Sequence, residues 1–332
     1  MFGPKARLTA LIFLAATGPV TSFAEPIESL AGTLPASGDY GTVLVAIDEI
    51  GAQATSLSVY WDDLQSDGVY VADPDWPSIA QAVYPPRDLG IQLTFSVIDT
   101  LSDRRPPELQ GLAWDDPLNV QRFLEVAQEA LARMPDVTFV SIAIGNGVDG
   151  HLLREDVNEY ARFFEKAREG IRAIRPDTPI SVKVTWPGFR DRPEIRALAQ
   201  KGDVVSLTWY PMNEAFEFLA PGDALAELPA MAALADGPWE LAEVGYPSNG
   251  CGASSETAQS AFHTGLSNAA RSYPTLRLVQ RVWSHDISAA EVSAYMDYYQ
   301  SDTACFQSFL GSLGVRTRQN TAKPSFTALS LR

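Results

Sequence analysis

The segment VSIAIGNGVDGHL, residues 140–152, contains Gly145-Asn146-Gly147-Val148-Asp149-Gly150, a literal G-x-G-x-x-G between an apolar run and a helical pattern. In dinucleotide-binding folds this spacing cradles a pyrophosphate, and an acid about 20 residues on, at the end of the next strand, holds the ribose. Here the next strand-like segment ends Lys183-Val184-Thr185-Trp186 without an acid, and Glu169 lies within a helical pattern. His151-Leu152-Leu153-Arg154 also separates the third glycine from the best helix start, near Glu155. The segment therefore reads as a glycine-rich turn from strand to helix, and no cofactor is expected.

The residues leading into the turn decide the fold. Val140, Ile142 and Ile144 alternate with Ser141, Ala143 and Gly145. The same alternation recurs downstream, with Ile180, Val182 and Val184 set against Ser181, Lys183 and Thr185, and Val205, Leu207 and Trp209 set against Ser206, Thr208 and Tyr210. One face is greasy enough to lie under helices and the other is small or polar. A doubly wound sheet, covered on both sides, would show nearly continuous apolar strands. A closed barrel has distinct inner and outer faces. Strands are expected over residues 56–60, 91–98, 138–145, 180–186, 204–210, 240–245 and 276–284, with a less sharply located first strand within 26–34. Between them, apolar residues recur at helical spacing, as in Val120, Phe123, Leu124 and Ala127, or Val157, Tyr160, Phe163, Phe164 and Ala167. The chain is read as α/β, a single (β/α)₈ TIM barrel over residues 25–332.

Residues 1–24 are set aside as an export signal. Lys5 and Arg7 precede the apolar run 8–16, and Ser22-Phe23-Ala24 offers small residues where a signal peptidase reads. That run, about 13 residues even with its weakly apolar flank, is too short to span a bilayer, and no later segment has the ~18 needed, so no membrane span is expected. The protein is expected to be secreted or periplasmic. Cleavage leaves 23 basic residues against 41 acidic ones, a net charge of −18. That balance excludes a nucleic-acid partner, whose binding rests on cations neutralising phosphates. The two cysteines, Cys251 and Cys305, are expected to form one disulfide in an oxidising compartment. With three histidines and no H-E-x-x-H or paired Cys/His spacing, no metal site is expected, and neither a G-x-S-x-G elbow nor a P-loop is present.

A second segment, Trp239-Glu240-Leu241-Ala242-Glu243-Val244-Gly245-Tyr246-Pro247, ends a strand on a carboxylate. Together with Ile144-Gly145-Asn146-Gly147, Leu207-Thr208-Trp209-Tyr210-Pro211 and Val282-Trp283, it resembles the large clan of retaining glycoside hydrolases built on (β/α)₈ barrels. The resemblance covers residues 50–300. In that clan the acid/base is a Glu directly after an Asn at the end of strand four, and the nucleophile is a Glu at the end of strand seven. It implies Glu243 as nucleophile, Tyr210 donating its hydroxyl to Glu243, Asn146 bonding a sugar hydroxyl and Trp283 stacking under a pyranose. Trp61, Asp62, Trp186 and His285 also stand at strand ends and are further candidates to line the cleft. The implied partner is an oligo- or polysaccharide with β-linkages.

The resemblance breaks at one position. Where the clan carries its acid/base, this chain has Gly147. A retaining mechanism needs two carboxyl groups about 5–5.5 Å apart, and general acid catalysis is worth about 10²–10⁴ in rate. Three readings follow. Asp149, or less favourably Glu155, substitutes for the missing acid. Alternatively, the substrates have leaving groups that need little protonation. Otherwise catalysis is lost, and the barrel is an inactive pseudo-glycosidase that binds a carbohydrate or a partner protein.

Overall fold

The computed structural model describes residues 25–331. The export signal expected over residues 1–24 lies outside the described residues. The barrel strands in chain order are Ile27–Leu30, Ala54–Tyr60, Gly90–Asp99, Phe139–Asn146, the pair Ile180–Ser181 and Lys183–Thr185, then Val205–Trp209, Trp239–Val244 and Leu276–Arg281. Each pairs in parallel with its neighbour in sequence, and the eighth pairs with the first. The fifth strand closes the ring. Its first part, Ile180–Ser181, pairs with strand four, and its second part, Lys183–Thr185, pairs with strand six, with only Val182 between them. The first strand falls inside the expected window, and the fifth, expected as one run, is divided in two.

Helices follow the strands and cover them from outside, among them Tyr40–Glu49, Pro117–Ala132, Val157–Ile174 and Glu256–Ala270. Several start on a side chain that accepts from the first turn: Asp39, Asp116 and Ser255 each receive a backbone N–H that the helix itself leaves unpaired. The two faces inferred from the alternation are present. Ile142, Ile144, Val182, Val184, Leu207 and Leu241 are fully buried. The polar residues between them are buried as well, and they bond to one another across the lumen. Ser141 and Ser206 donate to Glu240 Oε1 at 3.2 and 2.7 Å. Ser29 donates to Gln280, whose amide donates to the Ala242 carbonyl at 2.7 Å.

Strand seven carries an extra residue. Leu207 pairs with Leu241, but the next residue, Thr208, pairs with Glu243 and skips Ala242. The same slip appears on the other side, where Leu241 pairs with Val279 and Val244 with Arg281. A bulge of this kind re-aims the side chain beyond it. Strict alternation would put Glu240 and Glu243 on opposite faces, whereas the bulge turns both toward the barrel axis.

After strand eight the chain does not go directly to its covering helix, Pro324–Ser330. It first builds Ala289–Tyr299 and Ala304–Leu310, which stand over the C-terminal mouth. The disulfide expected between Cys251 and Cys305 is present, with 5.2 Å between Cα atoms, and it ties the loop after strand seven to the second of these helices. Among the described residues no helix is long and apolar enough to cross a membrane.

Two outcomes are expected. Replacing both cysteines by serine lowers stability by about 2–4 kcal/mol, measured by urea denaturation, and an unchanged midpoint refutes the staple. Burial raises the Glu240 pKa above its ordinary 4.5, against the Ser206 and Ser141 bonds and the Lys183 charge. The folded state therefore binds the proton more tightly than the unfolded chain. Glu240's contribution is complete below about pH 4.5 and is lost as pH rises through the folded value. Glu240→Gln flattens that part of the stability–pH profile, and parallel profiles for the two proteins contradict this.

Candidate active site

The C-terminal ends of the strands open into a cleft of about 560 Å³, within the range of small-molecule sites. Glu243 lies in it with one carboxylate oxygen 3.3 Å from the Tyr210 hydroxyl, which donates to it, and the other 3.6 Å from the ammonium of Lys183. Lys183 is 1% exposed. Burial, and then the Glu243 charge, hold the Tyr210 hydroxyl far above its ordinary pKa, so it stays a donor at any working pH.

A second carboxylate, Asp99, reaches the same cleft from the end of strand three. The Asn146 amide donates to its Oδ1 at 2.9 Å. Tyr295 and Tyr299, four residues apart on helix Ala289–Tyr299, also line the cleft. Burial, and then the charges of Asp99 and Glu243, raise the Tyr295 pKa to about 12. Tyr299 is raised as well, by burial and by the same two carboxylates. Trp283 stacks on Tyr295 with ring centres 6.1 Å apart, and Tyr295 on Tyr299 at 6.5 Å. The cleft thus combines two carboxylates, one buried cation and a run of aromatic faces suited to the C–H face of a sugar ring.

The glycine motif has a packing explanation. Gly145 has φ +86°, and a Cβ there would meet Val148 at 2.4 Å and the Tyr160 hydroxyl at 2.5 Å. Gly147 has φ +55°, and its Cβ would lie 3.1 Å from the Thr100 hydroxyl. A Cβ at Gly150 would come within 2.6 Å of the Thr100 carbonyl. Gly147 and Gly150 let the turn after strand four nest against the turn after strand three, and Gly145 lets its own turn close on Val148 and Tyr160.

Of the expected site residues, Glu243, Asn146, Tyr210 and Trp283 come together at the cleft, and Gly147 lies there with them. Asp149 does not line it. Its carboxylate accepts from the Thr185 amide at 2.8 Å and hydroxyl at 2.6 Å, and burial raises its pKa against those bonds. Asp149 is carried away from the cleft because the chain leaves the extended conformation at Gly147 and coils through Val148–Gly150. Trp61 begins the short helix Trp61–Leu64 and packs outside the barrel, with its ring edge-on to Phe123 at 5.4 Å. Asp62, in the same helix, pairs with Arg104 at 2.9 Å. Trp186 opens helix Trp186–Asp191 and packs against Phe189. His285 is buried between Ser284 and Asn320, at 3.1 and 2.9 Å. At Trp61, Asp62 and Trp186 the chain enters a helix as the strand ends, and His285 bridges to Arg316. Sequence reasoning missed Asp99, Lys183, Tyr295 and Tyr299. Lys183 was visible as the one charge on the polar face of strand five, and Asp99 as an acid one residue past an expected strand. The two tyrosines carry only a helical spacing.

No protein-family model matches the chain, and no curated protein is significantly similar to it in sequence. Solved structures are similar in shape. GH5_18 from Bifidobacterium longum subsp. longum superposes with a TM-score of 0.72 at 17% identity, over 93% of this chain and 78% of that one. GH5_18 from Streptomyces cattleya, in complex with GlcNAc, gives 0.71 at 16% over 93% and 80%. The exo-β-1,4-mannosidase Op5Man5 from Opitutaceae bacterium strain TAV5 gives 0.69 at 16% over 94% and 61%. At these identities the likeness establishes the fold, a barrel of the kind the sequence resembles.

The glycine geometry sets an order of stabilities. Gly145→Ala adds steric overlap to an unfavourable φ and costs about 3 kcal/mol, while Gly147→Ala, with looser contacts, costs about 1 kcal/mol. Thermal or chemical denaturation of the two variants checks this, and the reverse order rules out the packing account.

Proposed function

We propose that the chain is an exported, glycoside-hydrolase-like barrel that acts on β-linked glycosides, with Glu243 as the nucleophile. The carrying observation is the setting of Glu243, which projects into a sugar-sized cleft between the Tyr210 hydroxyl and the Lys183 ammonium. The hydroxyl donates to one carboxylate oxygen and the ammonium pairs with the other, so the carboxylate is held in place to attack an anomeric carbon. Trp283 and Tyr295 offer stacked aromatic faces to the ring. Asn146, whose amide is engaged by Asp99, is assigned to orienting that carboxylate. Asp149 is assigned to holding the strand-four turn against strand five, through Thr185. The disulfide suits an oxidising compartment. A Streptomyces cattleya neighbour is described in complex with Manβ1-4GlcNAc and another neighbour as an exo-β-1,4-mannosidase, so β-mannosides are the first class to try.

Gly147 favours a second reading, a barrel that binds β-linked sugars without cleaving them. The two separate on an activated substrate, because a dinitrophenolate departs without protonation. With a 2,4-dinitrophenyl β-glycoside panel, the native protein is expected to release the phenol and Glu243→Gln to lose at least about 10³ of that rate, the scale of removing a nucleophile. Glycan binding by calorimetry with no Glu243-dependent release establishes the binding-only reading instead.

A further inference from the structure

We propose that Asp99 supplies the proton-transfer carboxyl that Gly147 lacks. The inference rests on Glu243 acting as proposed above, and it is carried by how the turns after strands three and four fit together.

Strand three runs long at its C-terminal end. Phe95 pairs with Ile144, but Asp99 pairs with Asn146, so strand three spends four residues where strand four spends two. The surplus brings Asp99 level with the Asn-Gly pair of strand four. The space that a side chain at 147 would enter is taken by Thr100, whose hydroxyl would lie 3.1 Å from a Cβ there. Thr100 itself has φ +46°, a left-handed conformation that is costly for a β-branched residue. Three contacts hold it there: its amide donates to the Asn146 carbonyl at 2.8 Å, the Tyr299 hydroxyl donates to its side chain at 3.4 Å, and the Tyr298 hydroxyl donates to the Asp99 carbonyl. The strand-three turn therefore occupies the place of the missing residue and carries its own carboxylate in with it. Asp99 Oδ1 accepts from Asn146, while Oδ2 has no hydrogen-bond partner among the described residues. The two carboxylates, Asp99 and Glu243, line one opening together with Tyr295 and Tyr299.

The step balances without a further reagent. Glu243 forms a bond to the anomeric carbon as the glycosidic C–O bond breaks, and the Asp99 proton passes to the departing oxygen, giving an alcohol and an Asp99 carboxylate. Water then attacks the anomeric carbon, its proton returns to Asp99, and the Glu243 ester bond breaks to restore the carboxylate.

The test compares native protein, Asp99→Asn, Asp99→Ala and Glu243→Gln on 2,4-dinitrophenyl and unactivated phenyl β-glycosides. Asp99→Asn is expected to lose about 10²–10⁴ on the phenyl glycoside, while bond cleavage of the dinitrophenyl glycoside stays within a few-fold of native. Azide is expected to accelerate Asp99→Ala on the dinitrophenyl substrate and yield a glycosyl azide, which also shows that this variant is folded, and to leave the native rate unchanged. Equal losses on both substrates, or no azide effect in Asp99→Ala, overturn the role of Asp99 alone when release still depends on Glu243. No release by the native protein from either substrate overturns this inference together with the Glu243 reading.

Discussion

One extra residue in strand seven governs the chemistry of this barrel. The bulge at Ala242 points Glu240 and Glu243 into the same lumen, and two carboxylates cannot share a low-dielectric interior unless each is compensated. Glu240 is compensated by hydroxyls from strands four and six, Ser141 and Ser206, and its pKa is raised by burial. Glu243 is compensated by Tyr210 and by Lys183 from strand five. Lys183 lies inside the barrel, where an unpaired ammonium would be costly, so its position and that of Glu243 depend on each other.

The upper wall depends on a different set of constraints. Two helices inserted after strand eight bring Tyr295, Tyr298 and Tyr299 over the mouth, and the disulfide anchors the second helix to the loop after strand seven. The tyrosine hydroxyls in turn hold the turn after strand three. The result is a closed circuit in which the strand-eight insertion, the strand-three turn and the strand-four turn fix one another. Gly147 and Gly150 are the places where the strand-four turn meets Thr100 of the strand-three turn.

The barrel was legible in the alternation of Val140, Ile142 and Ile144 with Ser141, Ala143 and Gly145, because alternation is a local property and each strand repeats it. The positions of Glu243, Asn146, Tyr210 and Trp283 were legible for the same reason, since residues that end strands of one barrel meet at one mouth. Where the chain leaves the strand, this logic stops. Trp61, Asp62 and Trp186 each stand at a strand end, yet they enter helices that turn them outward. Asp149 stands two residues past Gly147, but the coil through Val148–Gly150 rotates it onto Thr185.

The residue pattern by itself thus determined an α/β barrel, the disulfide pair and the strand-seven carboxylate, all of which follow from period, count and chain order. Only the tertiary structure decided which face Glu243 takes, what packs against Gly147, and that Asp99 and Lys183 belong to the cleft. A bulge, a register slip of two residues and a pair of left-handed turns shift side chains by whole faces without changing hydrophobic periodicity. Their energetic reason lies in contacts between segments 40 to 200 positions apart, such as Asn146 with Asp99 or Tyr298 with Asp99.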